Sequence, residues 1–63
     1  MCESHAFLIS GEEQELVLED VVRVSEEGGE VRLVNIIGEE KSLPAEVAVI
    51  DLLNHRILLA PQG

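Results

Sequence analysis

Glycine and proline break this chain so often that little room is left for a helix. Gly11, the pair Gly28-Gly29, Gly38, Pro44 and Pro61 punctuate it at short intervals, and the segments between them are rich in Val, Ile and Leu. That pattern predicts short strands joined by tight turns. Ser4 to Ser10 (SHAFLIS) reads as a first strand closed by the turn signal SGEE. Gln14 to Asp20 alternates, with Leu16 and Leu18 on one face, and the chain continues extended through DVVRVS with Val22 and Val24 aligned. Gly28-Gly29 predicts a turn, because glycine reaches positive φ without steric cost. Glu30 to Gly38 reads as a strand with Val31, Leu33 and Ile37 on one face and Val34 and Ile36 on the other. A strand apolar on both faces needs cover on both sides. EEKS reads as a polar turn, and the last three residues as frayed.

Pro44 to Leu53 is ambiguous. Pro44 suits a first helical position, and Val47, Ile50 and Leu53 would share a helical face. The β-branched VAVI and the apolar-turn-apolar sequence around Asn54-His55 favour strands. Five or six short antiparallel strands in succession predict an all-β fold, a small barrel occupying residues 1–63 as a single domain.

Sixty-three residues lie near the lower limit for folding alone, and a single cysteine excludes an internal disulfide. A lone domain of this size buries only about 60% of its unfolded surface, yet 46% of the chain is hydrophobic. Oligomerisation is a common remedy, so the excess predicts a homodimer. Thirteen acidic residues against four basic ones give a formal charge of −9, and Phe7 is the only aromatic residue. Phosphate contacts need Lys and Arg, and base stacking needs aromatics; no nucleic acid partner is expected. No apolar run approaches the ~20 residues of a membrane span. A free thiol without a basic-apolar leader fits the cytoplasm.

Catalysis is poorly supplied, and no enzyme is expected. The carboxylates come in pairs beside turns, Glu12-Glu13, Glu26-Glu27 and Glu39-Glu40, where charge is ordinarily solvated surface. GEEQ, GGEV and GEEK lack the length and lysine of a phosphate loop. Metal binding is better supplied. Cys2, the only thiol, stands one residue from the start, where little can bury it. With Met1 removed, the α-amine and thiolate of Cys2 would close a five-membered chelate ring; with Met1 retained, the Cys2 amide and Met1 amine could serve instead. Such N and S donors suit Ni(II) or Cu(II). One arm provides two ligands, and a two-fold axis near both chain starts would provide the other pair. His5 lies about 10 Å along an extended strand from Cys2, on the opposite face, so the two share one ion only if the terminus curls. The ordinary alternative is a partly exposed strand histidine. His55, in a turn, suits a surface role.

The initial MC, the run LEDVVRVSEEGGEVRLVNIIGEEK and the closing IDLLNHRILL together resemble the CooT family of small proteins associated with carbon monoxide dehydrogenase maturation. The resemblance implies an SH3-like barrel that pairs as a homodimer, binds nickel and assists its insertion into carbon monoxide dehydrogenase. It also implies a metal site centred on the cysteine after the initiator methionine, here Cys2, within a metal-binding N-terminus at residues 1–5. It carries over neither His5 nor His55. The competing readings are a metal-independent β-barrel module that docks on a larger protein, and a thiol that forms an intermolecular disulfide under oxidation.

Overall fold

The computed structural model describes residues 3–62. Six strands follow one another: β1 (Ser4–Ser10), β2 (Glu13–Glu27), β3 (Glu30–Asn35), β4 (Glu40–Leu43), β5 (Ala45–Asp51) and β6 (Arg56–Pro61). They form one sheet in the order β4-β3-β2-β1-β6-β5, curled into a half-barrel.

The curl originates in β2. Its buried positions, Leu18 and Val21, are three apart rather than two, and Val17 and Val24 pack partly buried against the same core. A flat strand would turn either Leu18 or Val21 to solvent. Extra residues in β2 restore the phase. Ser4 pairs with Val21 but Ala6 with Leu18, and Phe7 already faces Leu16; on the other side Val21 faces Asn35 and Arg23 faces Val34. Each shift inserts its extra residue in β2, and bulges of this kind bend and twist the bulged strand. Asp20 sits at φ +56°, a left-handed conformation that aspartate tolerates better than most residues. The two halves of the strand thus face different neighbours: the first pairs with β1, the second with β3.

The bends enclose a core of Ala6, Leu18, Val21, Val31, Leu33, Ala45, Ile57 and Leu59, each at most 8% exposed. Leu33, Leu59 and Val31 are its largest fully buried side chains. Between β2 and β5 the half-barrel is bridged by a side chain rather than a ladder. A bulge separates Val47 from Val49, and the Val47 N–H donates to the Glu26 carboxylate. Gln62 N–H donates to the Pro44 carbonyl at 3.2 Å.

Several expectations are corrected. The sheet is not wholly antiparallel: β1 and β6 run parallel from His5↔Arg56 to Leu8↔Leu59, because the closing hairpin docks beside the first strand rather than beside its sequence neighbour β4. β2 is one strand of 15 residues, not a short one. EEKS is no turn: β4 pairs with β3, Lys41 facing Leu33, and the turn lies earlier, at 36–38. Ile37 therefore leaves the face of Val31 and Leu33 and stands 76% exposed. Pro61 ends β6 and Gln62 is hydrogen-bonded, so the chain is ordered two residues further than expected. Pro44 to Leu53 resolves as strand, with a turn at 52–55.

That last turn is closed by Asp51, which accepts from Asn54 N–H at 3.1 Å and Asn54 Nδ2–H at 2.9 Å. The Asn54 side-chain and backbone donors hold the Asp51 carboxyl below the usual aspartate range, with nearby Arg56 adding to the effect. A lowered folded-state pKa stabilises the fold above the unfolded value of about 3.9, and that contribution disappears as pH falls through the folded pKa. Asp51→Ala should therefore flatten part of the acid limb of the stability-pH curve while leaving neutral-pH slopes unchanged. Urea midpoints between pH 2 and 7 test this; a variant with the wild-type acid slope would assign that limb to other carboxylates.

Candidate functional site

Cys2, on which the sequence centres a metal site, lies outside the described residues. The strand that follows it is well placed on the sheet. Ser4 opens β1, opposite Val21, and lines an open groove of about 290 Å³ with Val21, Val22, Val24, Arg23, Ile50, Leu52 and Ile57. Three of these are aliphatic side chains standing well out of the core: Val22 is 51%, Ile50 57% and Leu52 76% exposed. The groove's lining includes one base, Arg23, and no carboxylate.

His5 has a structural task. Its Nδ1 accepts the Asp20 N–H at 3.2 Å, which fixes the donor at the left-handed bend of β2. The His5 backbone N–H in turn donates to the His55 carbonyl at 2.9 Å, and His55 sits at φ +57° in the turn before β6. The fold thus brings the backbones of the two histidines together at the start of β1. Among the described residues, no group of three or more His, Cys, Asp or Glu side chains is gathered as a metal site would need.

The acidic pairs divide between surface and structure. Glu12 and Glu13 are exposed. Glu26 links β2 to β5, and Glu39 accepts from Asn35 Nδ2–H at 2.7 Å while its own N–H donates to Asn35 Oδ1 at 2.8 Å. Glu40 pairs with Arg32, both partners about half exposed, a geometry worth at most about 1 kcal/mol. Glu26 and Glu39 are therefore braces that sequence reasoning took for solvated charge. An unpaired backbone donor at a bulge or turn would have been the signal, but it is invisible without the register.

A second groove, of about 350 Å³, lies between the first half of β2 and the β3–β4 turn and is lined by Leu16, Glu19, Asp20, Asn35, Ile36, Ile37 and Glu39 among others. Both grooves are open and near the lower limit of about 300 Å³ for small-molecule sites. Among the described residues, eight large apolar side chains are about half or more exposed, as many as form the buried core. Exposure on that scale in a small domain marks contact surfaces. No helix among the described residues is long and apolar enough to cross a membrane.

Fold and grooves define a small all-β module with two open grooves, each carrying exposed aliphatic side chains. The family model described as CO dehydrogenase accessory protein CooT matches residues 1–60, and the chain belongs to that family. It is similar to the crystal structure of a protein assigned as CooT from Carboxydothermus hydrogenoformans, with a TM-score of 0.91 and 35% identity, covering 98% of this chain and all of the other. An uncharacterised protein of Archaeoglobus fulgidus is 38% identical over 42 residues, which is 67% of this chain and 93% of the relative.

Proposed function

We propose that this protein is a nickel carrier for carbon monoxide dehydrogenase maturation, holding one Ni(II) between the Cys2 thiolates of a homodimer. The observation that carries the reading is the apolar groove at Ser4, two residues after Cys2, in a member of a CO dehydrogenase accessory family. A groove without carboxylates, rimmed by Val22, Ile50 and Leu52 and carrying Arg23 as its one charge, can meet its own copy about a two-fold axis without setting carboxylates against each other. Such an axis would bring the two chain starts together. Thiolate and N-terminal or backbone nitrogen from each chain would then complete four ligands of a type that suits Ni(II). Nickel is cargo here rather than a resident cofactor: a site built from chain ends lets a recipient take over ligands one at a time. Catalysis has no part in the role, and it belongs to the cytoplasm, where a free thiol persists.

His5 supports the site indirectly. With Nδ1 accepting from Asp20 N–H, it ties the start of β1 to the bend of β2. A metal-independent docking module is the competing reading, since the same groove could hold another protein.

Native mass spectrometry of the protein titrated with Ni(II), beside Cys2→Ser, separates these. A dimer that takes up one nickel, with uptake lost in the variant, is the expected result. A dimer that ignores nickel, or binds it equally without Cys2, would leave the docking module as the reading of choice.

A further inference from the structure

The turn between β3 and β4 holds two isoleucines in water on a backbone built not to move. Ile36 and Ile37 are 52% and 76% exposed. Beneath them, five hydrogen bonds between 2.7 and 3.0 Å fix the loop. Asn35 N–H donates to Glu39 O, Gly38 N–H to Asn35 O and Ile36 N–H to Asp20 O. Asn35 and Glu39 exchange the side-chain bonds described above. Asn35 is the one buried polar side chain among the described residues, 7% exposed, and Gly38 completes the turn at φ +89°. A flexible tip could fold its aliphatic side chains back onto the sheet. This one cannot, so the apolar surface is presented in advance of any contact, and pre-ordering of that kind lowers the entropic cost of binding.

The isoleucines face Leu16, 48% exposed, across a groove whose ionisable lining is wholly acidic: Glu19, Asp20 and Glu39. Lys41 lies at the margin with its Nζ donating to the Val17 carbonyl at 2.8 Å. We propose that this groove docks a segment of a partner protein in which aliphatic side chains alternate with Lys or Arg. The aliphatic side chains would seat against Leu16, Ile36 and Ile37, and the basic ones would meet the three carboxylates. A second copy packed here about a two-fold axis would set carboxylates against carboxylates, which works against association. The face thus differs from the groove at Ser4, and it stands independently of the nickel reading, since it uses neither Cys2 nor that groove.

Three synthetic peptides of equal length test the assignment on the full ¹⁵N-labelled protein: alternating Lys-Leu, alternating Lys-Ser and alternating Glu-Leu. Lys-Leu should shift the amides of residues 16–20 and 35–39 and bind at least about tenfold tighter than either of the others. Ile37→Ser should reduce Lys-Leu binding to the Lys-Ser level with the rest of the spectrum unchanged, since the side chain it removes lies outside the core. Equal binding of Lys-Leu and Lys-Ser would reduce the effect to the net charge of −9 and overturn the proposal. So would an Ile37→Ser variant that binds normally, or shifts confined to the Val22–Leu52 groove. Sedimentation of the same variant closes the remaining route: if Ile37→Ser dissociates an oligomer, the groove is a contact between copies and the partner segment is ruled out.

Discussion

Leu33→Ala is expected to remove at least about a third of the protein's stability. Leu33 is fully buried in β3, opposite Val24 of β2 on one side and Lys41 of β4 on the other. Truncating a leucine in such a site removes transfer free energy and leaves a cavity, for about 3–4 kcal/mol. A chain of 63 residues has roughly 3–9 kcal/mol in total, at about 0.05–0.15 kcal/mol per residue. The core has little to redistribute: two of its eight members are alanines, and Leu33 and Leu59 are its two largest fully buried side chains. With a urea m-value of about 1 kcal/mol/M, the midpoint should fall by ~3 M. Far-UV circular dichroism is the readout, since the chain lacks Trp and Tyr, and protein concentration must be held constant because association contributes to apparent stability. Ile37→Ala, equally aliphatic but 76% exposed, should move the midpoint by no more than about 0.5 M, the equivalent of ~0.5 kcal/mol. Equal losses at the two positions would mean that the core is not where the burial places it.

The contrast between Leu33 and Ile37 also shows what the sequence could reveal. Period-two alternation finds a strand where the strand is regular. β1 spans Ser4–Ser10 as expected, and Val31 and Leu33 point inward together. Alternation fails where the chain adds a residue. Nothing in LEDVVRV announces that Asp20 takes a left-handed conformation, since an aspartate in a strand usually signals an exposed position. That bend puts Leu18 and Val21 in the same core, and the register shifts on either side of it, at 16–18 and 21–23, leave Leu16 and Val22 outside. The Ile36-Ile37 pair misled for a related reason: apolar residues extend the apparent strand through a turn whose anchor, Asn35, is polar and buried. Tertiary hydrogen bonds to Asp20 and Glu39 override local preference there. Parallel pairing of β1 with β6 is a long-range choice that no window of sequence contains. Of the site, Cys2 lies outside the described residues and stands as a reading of the sequence alone. The grooves were not legible, because they arise from which aliphatic side chains the bulges turn outward.

Under the shared-thiolate reading, Leu52→Glu should abolish nickel uptake while leaving Cys2 untouched. Leu52 is 76% exposed in the single chain, so the substitution leaves the core alone, and the variant should keep its circular dichroism and urea midpoint at concentrations where both proteins are monomeric. In the two-fold dimer each groove would receive a carboxylate twice over. Carrying carboxylates into an apolar contact costs several kcal/mol of desolvation, which pairing with Arg23 in the lining repays only in part, so dimerisation should weaken at least about 100-fold, equivalent to ~2.7 kcal/mol. One chain then offers only two of four ligands, and the affinity for Ni(II) should fall with the dimer. Cys2→Ser makes the complementary change: the dimer persists and the nickel is lost. Sedimentation equilibrium and nickel titration of the two variants side by side therefore separate interface from ligand. A Leu52→Glu protein that remains dimeric and binds nickel normally would place the dimer axis away from the groove at Ser4. A monomeric variant that still binds nickel tightly would show that a single chain start completes the site.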